Sequence, residues 1–163
     1  MPASLNLCGF TLVELLVVVG IITILAGMLM VAVEKARASG RRVSCISNLR
    51  QIGAGLALYL NDHQRMPTLT NMPSLNLNND LTMAEVIDPG SRELFRCPAD
   101  KAGYFENEQT SYEWNVHQNA KLPGEKKHWH LDKIMWDYEP FHGEPGHPGS
   151  RNTLYLDSHV EGL

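Results

Sequence analysis

Residues 10–33 read FTLVELLVVVGIITILAGMLMVAV, and they decide the architecture. The stretch holds one ionisable side chain, Glu14, and is apolar on every helical face. At about 1.5 Å per residue, a helix over it is roughly 36 Å long, enough to cross a ~30 Å hydrocarbon layer. A secretory signal peptide competes with a spanning helix, but its apolar core usually runs about 7–15 residues behind a basic start. Here residues 1–9 carry neither Lys nor Arg. A buried helix of a soluble domain fails as well, because the roughly 130 residues left over are too few to wrap it. The chain of 163 residues has 14 Lys and Arg against 18 Asp and Glu, for a formal charge of −4, and all of these except Glu14 follow residue 33. With 44% hydrophobic residues and three cysteines, collagen-like, disordered and disulfide-dense classes are excluded.

A carboxylate inside an apolar layer costs several kcal/mol unless it is protonated or paired, so Glu14 needs a partner. The one cation nearby would be an α-amino group, created by a cut just before Phe10. MPASLNLCG followed by FTLVELLVVVGIITILAG resembles the type IV prepilin leader, a short polar segment ending in Gly, then Phe, Thr, Leu, a hydrophobic residue and Glu. The resemblance implies that a prepilin peptidase cuts between Gly9 and Phe10 and that the Phe10 amine is methylated. It also implies that Glu14 pairs with the Phe10 amine of a neighbouring subunit and sets axial register. A cytoplasmic N-terminus and an exported C-terminal domain follow, whereas Lys35, Arg37, Arg41, Arg42 and Arg50 after the span favour the opposite orientation by the positive-inside rule. Two departures from the pattern are a leader without Lys or Arg and a span without proline. No proline kink is therefore expected, and only Gly20 and Gly27 could loosen the helix.

Past the span, Cys45, Leu49, Ile52, Leu56, Tyr59 and His63 recur at steps of four and three, the pattern of an amphipathic helical stem with a narrow apolar stripe. The stem continues to about Asp62, and Met66-Pro67 ends it, since the residue before proline leaves helical geometry. Residues 34–65 carry six basic and two acidic side chains, and residues 66–163 eight and fifteen. That polarity favours lateral contact between stems and neighbouring acidic domains, although a solvated helix face reads the same way. Cys8 falls in the leader, leaving Cys45 on the stem and Cys97 in FRCPAD. A bridge between them would close a loop worth roughly 4 kcal/mol by entropy alone and belongs in an oxidising compartment such as a periplasm. Two buried free thiols are the alternative.

Beyond residue 66, the Thr68 to Asp80 segment reads as an irregular, turn-rich loop and Leu81 to Val86 as one or two helical turns. Ser111 to Val116, Lys133 to Tyr138 and Asn152 to Val160 carry aromatic and β-branched residues between Pro and Gly, and read as strands. The predicted fold is α+β: a long N-terminal helix, half membrane-spanning and half amphipathic stem, packed on a small antiparallel sheet. Its parts are a leader (1–9), a transmembrane or filament-core helix (10–33), the stem (34–65) and a periplasmic globular domain (66–163). His128 and His130 would share one strand face with metal-ligand spacing, but no second ligand pair with fixed spacing accompanies them, so surface or partly buried histidines are the favoured reading. There is no GxSxG, HExxH or phosphate-cradling glycine loop, and the acidic domain argues against nucleic acid. No catalytic residue and no cofactor is expected.

The C-terminal GHPGSRNTLYLDSHVEGL adds a second resemblance: His147, nine residues, then Asp157. It is similar to the His, nine residues, Asp-Gly ending of a large group of pseudopilin-like proteins, which also share the prepilin start, a stem like RVSCISNLRQIGAGLALYLND, a Cys-Pro segment like FRCPAD and a strand like SYEWN. The likeness covers nearly the whole chain and is least marked over 67–90 and 118–130. Ser158 stands where that group has Gly, which argues against a positive-φ turn there. Asn152 to Leu156 and His159-Val160 would be strand arms around an Asp157-Ser158 turn, with Asp157 accepting from local backbone amides. His147 and Asp157 then read as a structural clasp. A Ca²⁺ site, as in major pseudopilins, would draw on Asp132, Asp137, Glu139 and Asp157, which lack the dense ligand spacing of those proteins.

These resemblances imply a non-enzymatic subunit of a type II secretion pseudopilus, anchored in the inner membrane by one span and periplasmic after assembly. Its implied partners are prepilin peptidase, other pseudopilin subunits, an inner-membrane assembly platform and the lipid bilayer. The alternatives are a minor type IV pilin or DNA-uptake filament component, and a membrane-anchored periplasmic binding or metal-dependent domain, which would place metal at His128 and His130 or at His147.

Overall fold

The computed structural model describes residues 11–70, 82–87, 90–122, 131–147 and 149–162. In chain order these form α1 (Leu12–His63), α2 (Met83–Ile87), a 3-10 turn (Arg92–Phe95), α3 (Tyr104–Glu108) and β1 (Tyr112–Trp114). A second 3-10 turn (Val116–Gln118), β2 (Lys133–Asp137), β3 (Asn152–Tyr155) and β4 (Val160–Gly162) follow. The chain divides into two units, one ending at Arg37 and one running from Ala38.

In the first unit α1 runs unbroken through both glycines. A side chain added at Gly20 or Gly27 would meet nothing within 4 Å, and Thr23 Oγ1 donates to Gly20 O at 2.8 Å within the helix. With no proline and no missing hydrogen-bond donor, nothing kinks the span.

In the second unit the stem's apolar stripe is a packing face: Cys45, Leu49, Ile52 and Leu56 are buried. Its outer end departs from the sequence reading. Tyr59 is half-buried and His63 exposed, their rings stacked at 4.0 Å, while Leu60 packs against the core instead. The helical period of 3.6 residues drifts from a strict four-three repeat, so the core-facing side passes from Leu56 to Leu60. The helix ends at His63, where Gln64 turns left-handed at φ 57° and donates its backbone N–H to Leu60 O at 2.9 Å.

The four strands form one antiparallel sheet in the order β1-β2-β3-β4, with Tyr112 opposite Asp137, Met135 opposite Leu154, and Leu154 opposite Val160. The register shifts between Lys133 and Met135. The three strand-like segments of the sequence all appear, the last divided at Asp157-Ser158. All four residues of β3 are buried. Gly53 lets the stem close on it: a Cβ there would sit 3.0 Å from Leu154 Cδ1 and 3.2 Å from Ser158 Oγ. Phe95, Tyr112, Trp114, Ile134 and Met135 complete the core, and the Trp114 indole N–H donates to Asn119 Oδ1 at 2.7 Å. The expected turn-rich loop falls mostly outside the described residues, as do Gly9, Phe10, His128 and His130, and the expected helical turns after it are α2.

Candidate functional site

Three features bear on function. The first is the surface of residues 12–33, exposed along its whole length from Leu12 (78%) to Met30 (73%) and Val31. Among the described residues of the first unit nothing covers this side of α1, which is long and apolar enough to cross a membrane. At its start Glu14 is already engaged. Its Oε2 accepts the Thr11 backbone N–H at 2.8 Å and the Thr11 hydroxyl at 2.7 Å, while the Glu14 N–H donates to Thr11 Oγ1 at 3.2 Å. This reciprocal capping box satisfies donors that open every helix. The Thr-x-x-Glu spacing was visible in TLVE, but reading Glu14 for its charge alone passes over it.

The second feature is buried in the other unit. Cys45 on the stem and Cys97 after the first 3-10 turn are joined as a disulfide with Cα atoms 5.1 Å apart. Asn48, one turn further along α1, donates to Arg96 O at 2.8 Å and ties the same two segments. Downstream, Asp100 of FRCPAD accepts the backbone N–H groups of Ala102, Gly103 and Phe105 at 3.0–3.1 Å and the Ser111 hydroxyl at 2.7 Å, which fixes the start of α3. Next to the bridge lie two groups that the sequence reading did not connect with it. His142 Nε2 is 3.6 Å from Cys97 Sγ and 3.5 Å from Asp137 Oδ2, and both side chains are sealed from solvent. Asp137 Oδ2 also accepts the Asn152 backbone N–H at 2.7 Å, whereas Oδ1 makes no hydrogen bond. The Asn152 side-chain amide lies close enough to favour the carboxylate without reaching good geometry. Burial pushes Asp137 up to about 7, against the pull of Asn152, Arg151 and Arg42. Burial, then the charges of Arg42 and Arg41, push His142 down to about 4. His142 is therefore a neutral imidazole at physiological pH.

The third feature is the C-terminal motif. Asp157 Oδ1 accepts the His159 backbone N–H at 3.1 Å and also contacts its imidazole Nδ1, and the His159 ring stacks on Tyr155 at 4.2 Å. Ser158 does adopt positive φ, 68°, against expectation: the three-residue loop 156–158, closed by the Ser158 N–H to Tyr155 O at 2.9 Å and the Tyr155 N–H to His159 O at 3.0 Å, needs a left-handed third residue whatever the side chain. His147 belongs to a separate turn, its carbonyl accepting the Ser150 N–H at 3.1 Å, and its exposed ring borders a groove of about 660 Å³ with Arg151 and Glu161. The motif's glycines have a role of their own. The Arg42 guanidinium reaches from the stem into a slot between Gly149 and Gly162, and a Cβ at Gly149 would lie 2.7 Å from its Nη2. Arg42 Nε is buried without a hydrogen bond.

The proposed Ca²⁺ ligands are dispersed. Asp137 serves His142 and Asn152, Glu139 accepts the Tyr104 hydroxyl at 2.7 Å, and Asp157 serves its own turn. Among the described residues, the group of three with metal-binding spacing is Cys45, Cys97 and His142.

The exposed apolar helix leading into a stem on an antiparallel sheet defines a pilin-like α+β protein. Residues 6–30 match the prokaryotic N-terminal methylation motif, and residues 34–74 match a family described as a protein of unknown function (DUF1559). No curated protein and no solved structure matches the chain.

Proposed function

We propose that this chain is a structural subunit of a type II secretion pseudopilus, cut before Phe10, N-methylated there and assembled into a filament. The observation that carries the reading is the wholly exposed apolar surface of residues 12–33, of which 12–30 lie in the segment that matches the methylation motif. Some 22 residues of apolar helix have no place in water, and a bilayer before assembly or a bundle of like helices afterwards removes them from it. The precursor is held in the inner membrane with residues 38 onward in the periplasm, a compartment in which the Cys45–Cys97 bridge persists. On assembly Glu14 exchanges its Thr11 donors for the Phe10 amine of a neighbour. The charged pair is favoured because both ions would otherwise lie unpaired in apolar surroundings. The protein's work is mechanical, and none of its residues is assigned to catalysis.

Intact-mass and peptide analysis of the chain from native membranes tests the processing: a mature form beginning at N-methylated Phe10 is expected, and a form retaining residues 1–9 overturns it. Deletion of the gene tests the system: exoproteins held in the periplasm support secretion, whereas loss of DNA uptake with normal secretion replaces that assignment with a minor-pilin one.

A further inference from the structure

We propose that, once the Cys45–Cys97 bridge is reduced, Cys45, Cys97 and His142 form a buried site for a thiophilic divalent cation, Zn²⁺, with Asp137 at the fourth position. The three ligand atoms already lie within 4.8 Å of one another. At ligand distances of about 2.3 Å for sulfur and about 2.0–2.1 Å for nitrogen and oxygen, tetrahedral geometry sets sulfur and nitrogen roughly 3.6 Å apart and nitrogen and oxygen roughly 3.4 Å apart. The observed separations are 3.6 Å from Cys97 Sγ to His142 Nε2 and 3.5 Å from His142 Nε2 to Asp137 Oδ2. To complete the shell the two sulfurs must part, to roughly 3.8 Å, and the Asp137 carboxylate, which lies outside that group of three, must swing toward them.

Three further observations point the same way. His142 turns Nε2 inward to Cys97 Sγ and Asp137 Oδ2, with its side chain sealed from solvent, so the ring nitrogen that would bind faces the site. Asp137 Oδ1 is buried without a hydrogen bond, an open acceptor beside the site. Two thiolates and one carboxylate carry three negative charges, matched by Zn²⁺ and the Arg42 guanidinium, whose field reaches both Asp137 and His142. A buried cluster that sums to zero avoids the penalty of an uncompensated interior charge. Two sulfurs with an imidazole favour zinc over Mg²⁺ or Ca²⁺.

The chemistry is a two-electron exchange. A dithiol reductant gives two electrons and two protons to the sulfur–sulfur bond and leaves as a disulfide, and Zn²⁺ then displaces the two thiol protons to solvent. In the reverse direction a disulfide oxidant takes two electrons from the two thiolates and two protons from solvent and leaves as a dithiol, so that the bridge forms again and Zn²⁺ is released. The form that would bind is a chain in which Cys45 and Cys97 are not joined, either before the bridge forms or after it is reduced. Metal and bridge would each tie the stem to residue 97.

The experiment uses the full-length Cys8→Ser chain in detergent, reduced with a phosphine or left oxidised, titrated with Co²⁺ and then Zn²⁺. The expected result is about one Co²⁺ per reduced chain, with thiolate charge-transfer and tetrahedral visible bands that Zn²⁺ abolishes, and no such bands in the oxidised chain. His142→Ala should weaken binding by about tenfold or more. Since that substitution also opens the core, zinc-edge X-ray absorption of the reduced chain counts the ligands directly. Two sulfurs with nitrogen or oxygen support the site, whereas a sulfur-only or oxygen-only shell, no binding, or equal binding by the oxidised chain overturns it.

Discussion

One helix serves two solvents. Up to Arg37 α1 has its apolar side chains outward and no neighbour among the described residues of its unit, whereas from Ala38 on the same helix buries Cys45, Leu49, Ile52 and Leu56 against a sheet. The contrast lies in pattern rather than in helix-forming tendency. All-round apolarity needs an external partner, and a stripe needs only the chain's own sheet. The first half thus draws its stability from bilayer or filament, and the second carries its own.

The comparison breaks most completely at Glu14. Glu14→Ala should leave the chain inserted in the membrane and abolish its recovery in sheared filaments, while the folded unit keeps its thermal transition; normal filament yield would show that the register contact lies elsewhere. Next comes Cys45→Ser, which should cost the folded unit about 2–5 kcal/mol in denaturant titration and leave insertion unchanged.

The Asp137–His142 pair sharpens the contrast through pH. Asp137 is raised to about 7, so its contribution is present at low pH and lost as pH climbs from about 4 to 7. His142 is lowered to about 4, so its contribution is present above pH 6.5 and lost as pH falls toward 4. In the oxidised wild type these opposed trends nearly cancel, and stability should be level across the interval. His142→Gln should become less stable as pH rises from 4 to 7, and Asp137→Asn less stable as pH falls from 6.5 to 4. Equilibrium unfolding at several pH values checks both, and parallel profiles for the two variants would refute the pairing.

Gly149→Ala combines a φ of +84° with the contact to Arg42 and should cost about 1–2 kcal/mol. The smallest effect runs the other way: Ser158→Gly relieves a positive φ of 68° and should gain about 0.5–1 kcal/mol, read as a rise in Tm.

Much of this was legible in the chain. The long apolar helix followed from an unbroken apolar run, the stem from its helical spacing, and three strand segments from aromatic and β-branched residues between Pro and Gly. What escaped depends on residues far apart in sequence. Cys97 and His142 are 45 positions apart, and no local rule joins them. The one clue was Asp137 itself: a carboxylate on the same strand side as Met135, in KIMWD, marks a buried polar group that needs company. Arg42 likewise read as one of several stem cations, and only the fold shows Gly149 and Gly162 on either side of it. The turn at Ser158 was misread because the side chain was weighed and the geometry of a tight hairpin was not.

That slot for Arg42 also orders events in time. Its walls stand 107 and 120 positions downstream of the arginine, so a chain emerging N-terminus first presents its stem long before anything can hold it there. Export of the last strand would be the moment the domain locks, and a subunit stalled a few residues short would remain open to proteases and unfit to join its neighbours.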